Sequence, residues 1–354
     1  MKEPSETVSE SVKYLGQGFL LAYYLPALVF ILAHLYVLIP AWIGSLHLSQ
    51  PAANKLTLPL IGEVNLSSWV NSLLWSLIVG IVLFVLNNIL IRLFEGKPSW
   101  LKNGLLSRLT RRYQKECKNL YGELTRLRNA YLEIISQAPQ TISQDKFESF
   151  RLQLKEEHEK IEKSKSQQTL PHNVERVCPT SFGNVYAIAE EYPYERYGID
   201  SVLFWPHLRM LMQEKAPNHS LRLTQQKTVL DLSINFAFLS GVLTVEIIIT
   251  ICSGYKPLLL VLAGVAFLLS ISFYQASVAA IQGLGELIKV SFDYYRGLVL
   301  KEFNLKMPDN LTEEQALWVK LASFIRRGDA FYFPEEYRDS GMGSGGIEDK
   351  KKDD

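Results

Sequence analysis

The sequence WVNSLLWSLIVGIVLFVLNNIL, from Trp69 to Leu90, contains no charged side chain. A helix that crosses a bilayer needs about 20 mostly apolar residues, so this stretch predicts a transmembrane span. An earlier stretch, FLLAYYLPALVFILAHLYVLIPAWI from Phe19 to Ile43, has His34 as its single ionisable residue apart from tyrosines. The two stretches therefore predict two spans in the first quarter of the chain.

Two further apolar stretches lie in the second half of the sequence. Val229 to Cys252 is interrupted only by Asp231 and Glu246, and Pro257 to Ala280 carries no charge. Four such helices in a soluble protein would need a polar shell that covers them all, and the chain lacks the residues for it. The sequence predicts an integral membrane protein with four spans.

Composition supports this class and argues against several others. The 354 residues include 37 Lys and Arg against 36 Asp and Glu, and 48% are hydrophobic, with charge segregated from the apolar stretches. This pattern excludes a disordered chain, and the net charge of +1 gives no reason to expect a nucleic-acid partner. The three cysteines form neither a disulfide framework nor a CxxC pattern.

Lys and Arg are concentrated after the second apolar stretch, with six of them between residues 92 and 112. The loop 46–66 carries only Lys55, and the link 253–256 carries only Lys256. Cytoplasmic flanks of spans are enriched in basic residues. The pattern predicts that the region after span two and both termini are cytoplasmic, and that the two short links face outward.

The predicted fold class is all-α, with four transmembrane helices in two hairpins and a large helical cytoplasmic insertion between spans two and three. The predicted organisation is a cytoplasmic N-terminal tail (1–18), transmembrane hairpin one (19–93), a cytoplasmic helical domain (94–227), transmembrane hairpin two (228–280), cytoplasmic C-terminal helices (281–339) and a disordered tail (340–354).

The insertion begins with an amphipathic pattern over residues 101–135. From Leu120 onward its apolar residues are spaced 4, 3, 4 and 3 apart, which is the spacing of a heptad stripe. Pro139 ends the pattern, and a second amphipathic run follows, so residues 101–165 are predicted to form an antiparallel helical hairpin. This hairpin is either a structural stalk or a coiled-coil surface for self-association or for a partner.

Residues 171–215 are rich in aromatic residues, Pro and Gly. A helix is predicted to end before Pro193, and residues 194–198 are predicted to form a tight turn. One interpretation makes this segment a ligand or partner patch, formed by Tyr192, Tyr194, Glu195, Arg196, Tyr197 and Asp200. The other is structural: Arg196 pairs with Glu195, Glu190 or Asp200, and the cluster locks an irregular segment.

Polar residues within the spans are the remaining candidates: His34, Glu246, Asn87, Asn88, Asp231, Asn235 and Gln275. At about 1.5 Å per residue, His34 and Glu246 lie at one depth, about 6–8 Å to the outer side of the midplane, and the others lie on the inner side. An ionised carboxylate facing lipid is unfavourable, so Glu246 is predicted to face the bundle and pair with His34. These residues either fix helix packing through hydrogen bonds or form a proton- or ion-responsive path.

Catalytic motifs are absent from the sequence. It has no GxxxxGK[ST], HExxH, GxSxG or GxGxxG pattern, and no two of its six histidines are four positions apart. We therefore predict no catalytic residues, no metal site, no cofactor and no enzymatic activity.

Four phrases carry a family resemblance: Asn88-Ile-Leu-Ile-Arg92-Leu-Phe-Glu95-Gly96; Pro179-Thr180-x-x-Gly183-Asn184 with Tyr194-Glu-Arg196-Tyr-Gly198-Ile-Asp200 and Trp205-Pro206; Phe292-Asp293-Tyr-Tyr-Arg296; and the stretch from Glu313 to Trp318. Together they resemble a group of uncharacterised bacterial four-span integral membrane proteins, over most of residues 85–325. The resemblance implies a bacterial inner-membrane protein and no named activity.

Two functions of different classes follow from these features. The first is a membrane scaffold or sensor whose cytoplasmic helical domain binds a second copy of the chain or a cytoplasmic protein partner. The second is an oligomeric ion channel or transporter, since four spans alone form a narrow bundle and polar residues lie within them. Both predict the lipid bilayer as the environment and a homo-oligomer as the assembly.

Overall fold

The computed structural model describes residues 16–45, 66–98, 105–137, 170–253 and 257–331, and the single residues 152, 155, 156 and 159. These residues are predominantly helical and include no strand, which confirms the all-α class. The second arm of the predicted hairpin, apart from those single residues, and the predicted disordered tail lie outside the described part of the chain.

Eight longer helical segments follow one another along the described residues, and a short 3₁₀ helix, Val174–Arg176, lies between the third and the fourth. They are α1 (16–45), α2 (Leu66–Glu95), α3 (Leu105–Gln137), α4 (Ser181–Tyr197), α5 (Ser201–Lys215), α6 (Pro217–Ser253), α7 (Pro257–Glu302) and α8 (Leu311–Arg327). Segment α1 includes two π-helical turns, Leu20–Tyr24 and His34–Leu38.

Four of these helices are long and apolar enough to cross a membrane: Gly16–Trp42, Val70–Glu95, Pro217–Cys252 and Pro257–Glu302. They expose large apolar side chains that a soluble protein would bury; the exposed fraction is 69% at Val85 and 63% at Leu268. Surfaces of this kind suit contact with lipid. The four predicted spans are therefore present as helices, in a chain suited to a bilayer.

Helices α6 and α7 extend beyond the apolar stretches that predicted them. Helix α6 begins at Pro217, twelve residues before the start of the apolar stretch at Val229. Helix α7 continues from its apolar part to Glu302 without interruption. Both helices begin with proline, whose fixed φ suits the first helical position and whose missing N–H has no partner there.

The predicted helix end before Pro193 is wrong. Helix α4 continues through Pro193 to Tyr197, so residues 194–197 are helical and do not form a turn. The helix ends where Gly198 adopts a φ of +71°, with its N–H donating to the Tyr194 carbonyl at 2.8 Å. Contacts of α4 side chains outweigh the preference of proline for helix starts.

The chain divides into two compact units. The first unit comprises Met1–Ile188 and Leu223–Gly285, and the second comprises Ala189–Arg222 and Glu286–Asp354. One core of the first unit joins α1, α6 and α7 through Leu38, Ala41, Ile247, Leu259, Ala263 and Ala266. In the second unit the largest fully buried side chains are Trp318, Phe204, Phe292, Ile199, Leu208 and Met212.

Candidate functional site in the spans

A buried carboxylate, Asp231 of α6, is the centre of a polar cluster in the first unit, where it is 4% exposed. The Tyr23 hydroxyl of α1 donates to Asp231 Oδ2 at 2.8 Å, and Asn87 Nδ2 of α2 donates to Oδ1 at 3.3 Å. Lys227 Nζ contacts both carboxylate oxygens, at 2.9 and 2.7 Å. Three helices therefore meet at one charge-paired aspartate.

Asn235, one turn after Asp231 on α6, extends this Asp231 cluster. Its side chain is fully buried, and Nδ2 donates to the Ala22 carbonyl of α1 at 2.8 Å. This hydrogen bond between a side-chain amide and a backbone carbonyl joins α6 to α1. Because the aspartate is paired with an ammonium group and held by two further donors, the cluster is suited to fixing helix packing.

A second polar pair, His34 of α1 and Glu246 of α6, lies fifteen residues along α6 from Asp231. His34 Nε2 is 3.0 Å from Glu246 Oε2, and the side chains are 18% and 29% exposed. Glu246 Oε2 is buried and has no hydrogen-bond partner among the described residues, so this contact is close in distance but is not an aligned hydrogen bond. The structure thus brings together the two residues predicted to pair.

Trp42 and Thr250 connect the same two helices, eight residues after His34 on α1 and four residues after Glu246 on α6. Trp42 Nε1 of α1 donates to Thr250 Oγ1 of α6 at 2.6 Å, and Thr250 Oγ1 donates to the Glu246 carbonyl at 2.8 Å. The backbone of Glu246 therefore belongs to a hydrogen-bonded contact that fixes α1 against α6.

Glu246 also lines an apolar groove with a volume of about 580 Å³. The other lining residues are Phe94, Ala237, Phe238, Gly241, Val242, Val245, Ser270, Ile271 and Tyr274. Helices α6 and α7 approach closely beside it, because Ser270 Oγ of α7 donates to the Ala237 carbonyl at 2.9 Å. The carboxylate of Glu246 is thus the single acidic group among the groove residues.

Two of the predicted span residues are not part of either cluster. Asn88 and Gln275 lie on exposed faces of α2 and α7, whereas the neighbouring Asn87 is buried against Asp231. Sequence reasoning missed Tyr23 and Lys227. Lys227 was detectable, because a lysine four positions before an aspartate on a helix is a standard side-chain pair.

The candidate residues of segment 171–215 do not form one cluster in the second unit. Tyr194, Glu195 and Arg196 have exposed side chains, while Tyr197 is buried. Asp200 begins α5 as its N-cap, accepting from Leu203 N at 3.1 Å, and its other oxygen pairs with Arg326 of α8. The structural partner of Asp200 is therefore Arg326 and not the predicted Arg196.

The arginine that organises the second unit is Arg296 of α7. Its Nε donates to Glu314 Oε1 of α8 at 2.6 Å, and its guanidinium lies 3.9 Å from the centre of the Tyr197 ring. Glu314 is 5% exposed and also accepts from Trp318 Nε1 at 3.2 Å. Charge pairing and an indole hydrogen bond thus converge on the buried Glu314 carboxylate, and the arginine that pairs with it also makes a cation–π contact with Tyr197.

Asp293, one turn before Arg296, holds the end of α4. It accepts from the Tyr192 hydroxyl at 2.9 Å and from the Tyr197 hydroxyl at 2.7 Å. Burial, and then these hydrogen bonds to a carboxylate, raise the pKa of both phenols above the usual value of about 10. The two tyrosines are therefore neutral donors at physiological pH.

Sequence reasoning did not single out Asp293, Arg296 or Glu314 as site residues. They lie in two of the phrases that carry the family resemblance, Phe292 to Arg296 and Glu313 to Trp318, and the structure joins these phrases in the second unit. The available signal was an arginine three positions after an aspartate within an aromatic run. Its partner, eighteen residues later, could not be chosen without the tertiary structure.

Comparison with protein-family models, with curated proteins and with solved structures gave no match for this chain. Among the described residues, no group of three or more His, Cys, Asp and Glu side chains is suited to hold a metal ion.

Proposed function

We propose that the chain is an integral membrane scaffold or sensor whose helical domain after span two binds a second copy of the chain or a protein partner. The observation that carries the proposal is the length and pattern of α3, Leu105–Gln137. At 33 residues it is about 50 Å long, and one apolar stripe follows its whole length.

The described contacts of this stripe involve its first half. Cys117 and Leu120 are buried, and Cys117 packs with Leu170 and Val177. The Tyr121 hydroxyl donates to the Leu170 carbonyl at 3.3 Å, which fixes the segment after residue 170 on this half. The heptad spacing continues beyond these contacts through Leu124, Leu127, Tyr131 and Ile134.

A continuous heptad stripe is the pattern through which helices associate in coiled coils. We therefore assign the second half of α3 as the contact surface of the proposed assembly. The Asp231 cluster supports a scaffold, because its aspartate is charge-paired and its donors fix three spans together. The proposed setting is a bacterial inner membrane, with both termini and the region 94–227 in the cytoplasm.

The test compares Leu127→Lys on the stripe with Asn129→Lys, which places the same charge at an exposed position outside it. The mass of the full-length protein in detergent is measured by native mass spectrometry. We expect an oligomer for the wild type and for Asn129→Lys, and dissociation for Leu127→Lys. A wild-type monomer, or equal behaviour of the two variants, would contradict self-association through α3.

An ion channel or transporter is the second candidate, and the observation that favours it is the pair of polar clusters within the spans. Glu246 lines a groove beside apolar residues, and Asp231 is buried at a different depth. Flux of protons and of sodium is measured in liposomes that contain purified protein. Sustained flux that falls in Glu246→Gln and persists in the exposed-site variant Glu286→Gln supports transport, and absence of flux rejects it for these ions.

A further inference from the structure

Positive charge is concentrated in the first half of α3. Five of the six charged side chains between residues 105 and 118 are basic, and Glu116 is the acidic one. In the second half, residues 119–137, two basic residues accompany two acidic ones. The basic residues of the first half are Arg108, Arg111, Arg112, Lys115 and Lys118. The net charge of α3 thus falls from +4 in its first half to zero in its second half.

These five residues form a basic face, and all five side chains are exposed. They are three or four positions apart or adjacent, which places them on one side of a helix with 3.6 residues per turn. The apolar stripe occupies the other side, where Cys117 is buried and packs with Leu170 and Val177. The first half of α3 therefore contacts the protein through its apolar side and exposes its basic face.

Contacts within α3 occupy only part of the donors on this face. Arg112 Nε donates to Glu116 Oε1 at 3.1 Å, between side chains that are 75% and 45% exposed, and such exposed pairs are weak. Arg111 Nε donates to the Ser107 carbonyl at 3.3 Å. Because a guanidinium has five N–H donors, both arginines retain donors for a further anion.

Tertiary contacts place the basic face beside the end of span two. Thr180 Oγ1 donates to the Phe94 carbonyl, near the end of α2, at 2.7 Å. Val177, three residues before Thr180, packs on Cys117 of α3. Three residues of chain extend over at most about 11 Å. The part of α3 between Lys115 and Lys118 therefore lies close to the end of α2.

The end of α2 lies at the depth of the lipid headgroups. The apolar stretch of span two ends at Leu90, and α2 ends at Glu95. At 1.5 Å per residue Glu95 is about 7 Å beyond the stretch, and the headgroup layer on each side of the hydrocarbon is about 5–8 Å thick. Clusters of four to eight Lys and Arg in this position attract anionic lipids, whose phosphates accept charge-assisted hydrogen bonds.

We propose that the basic face of α3 binds the headgroups of anionic phospholipids in the leaflet where span two ends. Binding holds the first half of α3 on the membrane surface, with its apolar side against the segment after residue 170. The proposal is independent of self-association, because that concerns the second half of α3.

The test titrates phosphatidylglycerol, or phosphatidylcholine as the zwitterionic reference, into full-length protein in a neutral detergent. Native mass spectrometry counts the bound lipids. The basic-face variant combines three changes, Arg108→Gln, Lys115→Gln and Lys118→Gln. The matched control removes the same charge from three exposed positions of the second unit, through Lys301→Gln, Lys306→Gln and Lys320→Gln.

The wild type should bind phosphatidylglycerol more tightly than phosphatidylcholine. Each basic residue beside anionic lipid contributes about fivefold to affinity at low salt. The basic-face variant should therefore bind phosphatidylglycerol about tenfold more weakly than the wild type, or weaker still, and should bind phosphatidylcholine as the wild type does. The control should match the wild type for both lipids.

A gain of affinity gives a second test that does not depend on the stability of the triple variant. Asn119, next to Lys118, is exposed, and Asn119→Lys should raise the affinity for phosphatidylglycerol by about fivefold. Asn129→Lys makes the same change about 15 Å farther along α3, beyond one Debye length at 0.1 M salt, and should leave the affinity near the wild-type value. Unfolding would not produce such a gain.

Equal wild-type affinities for the two lipids would overturn the proposal and would leave the basic face to a different anionic partner or to none. Equal losses in the basic-face variant and its control, or equal affinities in the two lysine variants, would also overturn it. Leu127→Lys should retain phosphatidylglycerol binding, which separates failure of this surface from failure of the proposed assembly.

Discussion

Two arginines of similar sequence context have different roles at the residue scale. Arg196 is exposed, whereas the Arg296 side chain is 18% exposed and pairs with a Glu314 side chain that is 6% exposed. Removing one member of a buried pair leaves an uncompensated charge, which exposed pairs avoid. This difference in burial indicates that Arg296, and not Arg196, stabilises the second unit.

Arg296→Ala should therefore lower the free energy of unfolding by about 3–5 kcal/mol. The matched change Arg196→Ala should lower it by about 0–1 kcal/mol. Both are measured by chemical denaturation in detergent micelles against the wild type. Equal losses at the two positions would contradict the assignment of Arg296 as the organising residue.

The hydroxyls of Tyr192 and Tyr197 both donate to Asp293, and they are expected to make the stability of the second unit fall at alkaline pH. Their pKa values are raised in the folded state, so the folded protein retains protons that the unfolded chain releases above pH 10. Stability from these groups is fully present below the unfolded pKa and is lost as pH rises above it.

Tyr192→Phe should make the loss of stability between pH 9 and 11 (about one unit either side of the ordinary tyrosine pKa) less steep than in the wild type. The unfolding free energy is measured at several pH values across this range. Tyr194→Phe, at a side chain that is 62% exposed, is the control and should follow the wild type. A wild-type slope in Tyr192→Phe would show that its phenol does not contribute.

Glycine allows a close contact at the scale of helical elements, where the end of α2 meets the start of α4. A Cβ at Gly183 would lie 2.6 Å from the Glu95 carbonyl oxygen and 2.7 Å from Cys178 Cβ. Thr180 Oγ1 donates to the Phe94 carbonyl at 2.7 Å and accepts from Gly183 N at 3.0 Å, which caps α4 on α2. The backbones are too close for any side chain at Gly183.

Gly183→Ala should cost about 1–3 kcal/mol of stability through overpacking. Gly122→Ala, in α3, places its Cβ in open space and should stabilise the helix by about 0.5–1 kcal/mol. Thermal unfolding of the two variants should therefore shift in opposite directions from the wild type. A shift in the same direction would mean that the α2–α4 contact adapts to a larger residue.

The orientation in the membrane is a prediction at the scale of the whole molecule, and it follows from the basic residues after span two. Replacing Cys117, Cys178 and Cys252 gives a background for single cysteines at position 55 and within 155–168. A membrane-impermeant thiol reagent applied to intact cells should label position 55 alone. Labelling within 155–168 from outside would reverse the predicted topology.

The sequence by itself determined the all-α class and the four apolar helices that are long enough to cross a membrane. A run of about 20 apolar residues is a local property, and a helix is the structure that satisfies its backbone in lipid. It also identified Asn87, Asp231, His34 and Glu246, because polar residues in apolar stretches are visible without a structure. Helix ends were less predictable, since the course of α4 past Pro193 depends on contacts made by its own side chains.

Only the tertiary structure decided which polar residues meet. Asp231 is bound by Tyr23 and Asn87, which are 208 and 144 positions away along the chain. Packing also buries Asn87 and exposes Asn88. In the second unit, packing places Glu314 within hydrogen-bond distance of Arg296. The length of an apolar stretch does not depend on how the helix is rotated about its axis. Packing against neighbouring helices sets that rotation, and the rotation decides which polar side chains meet.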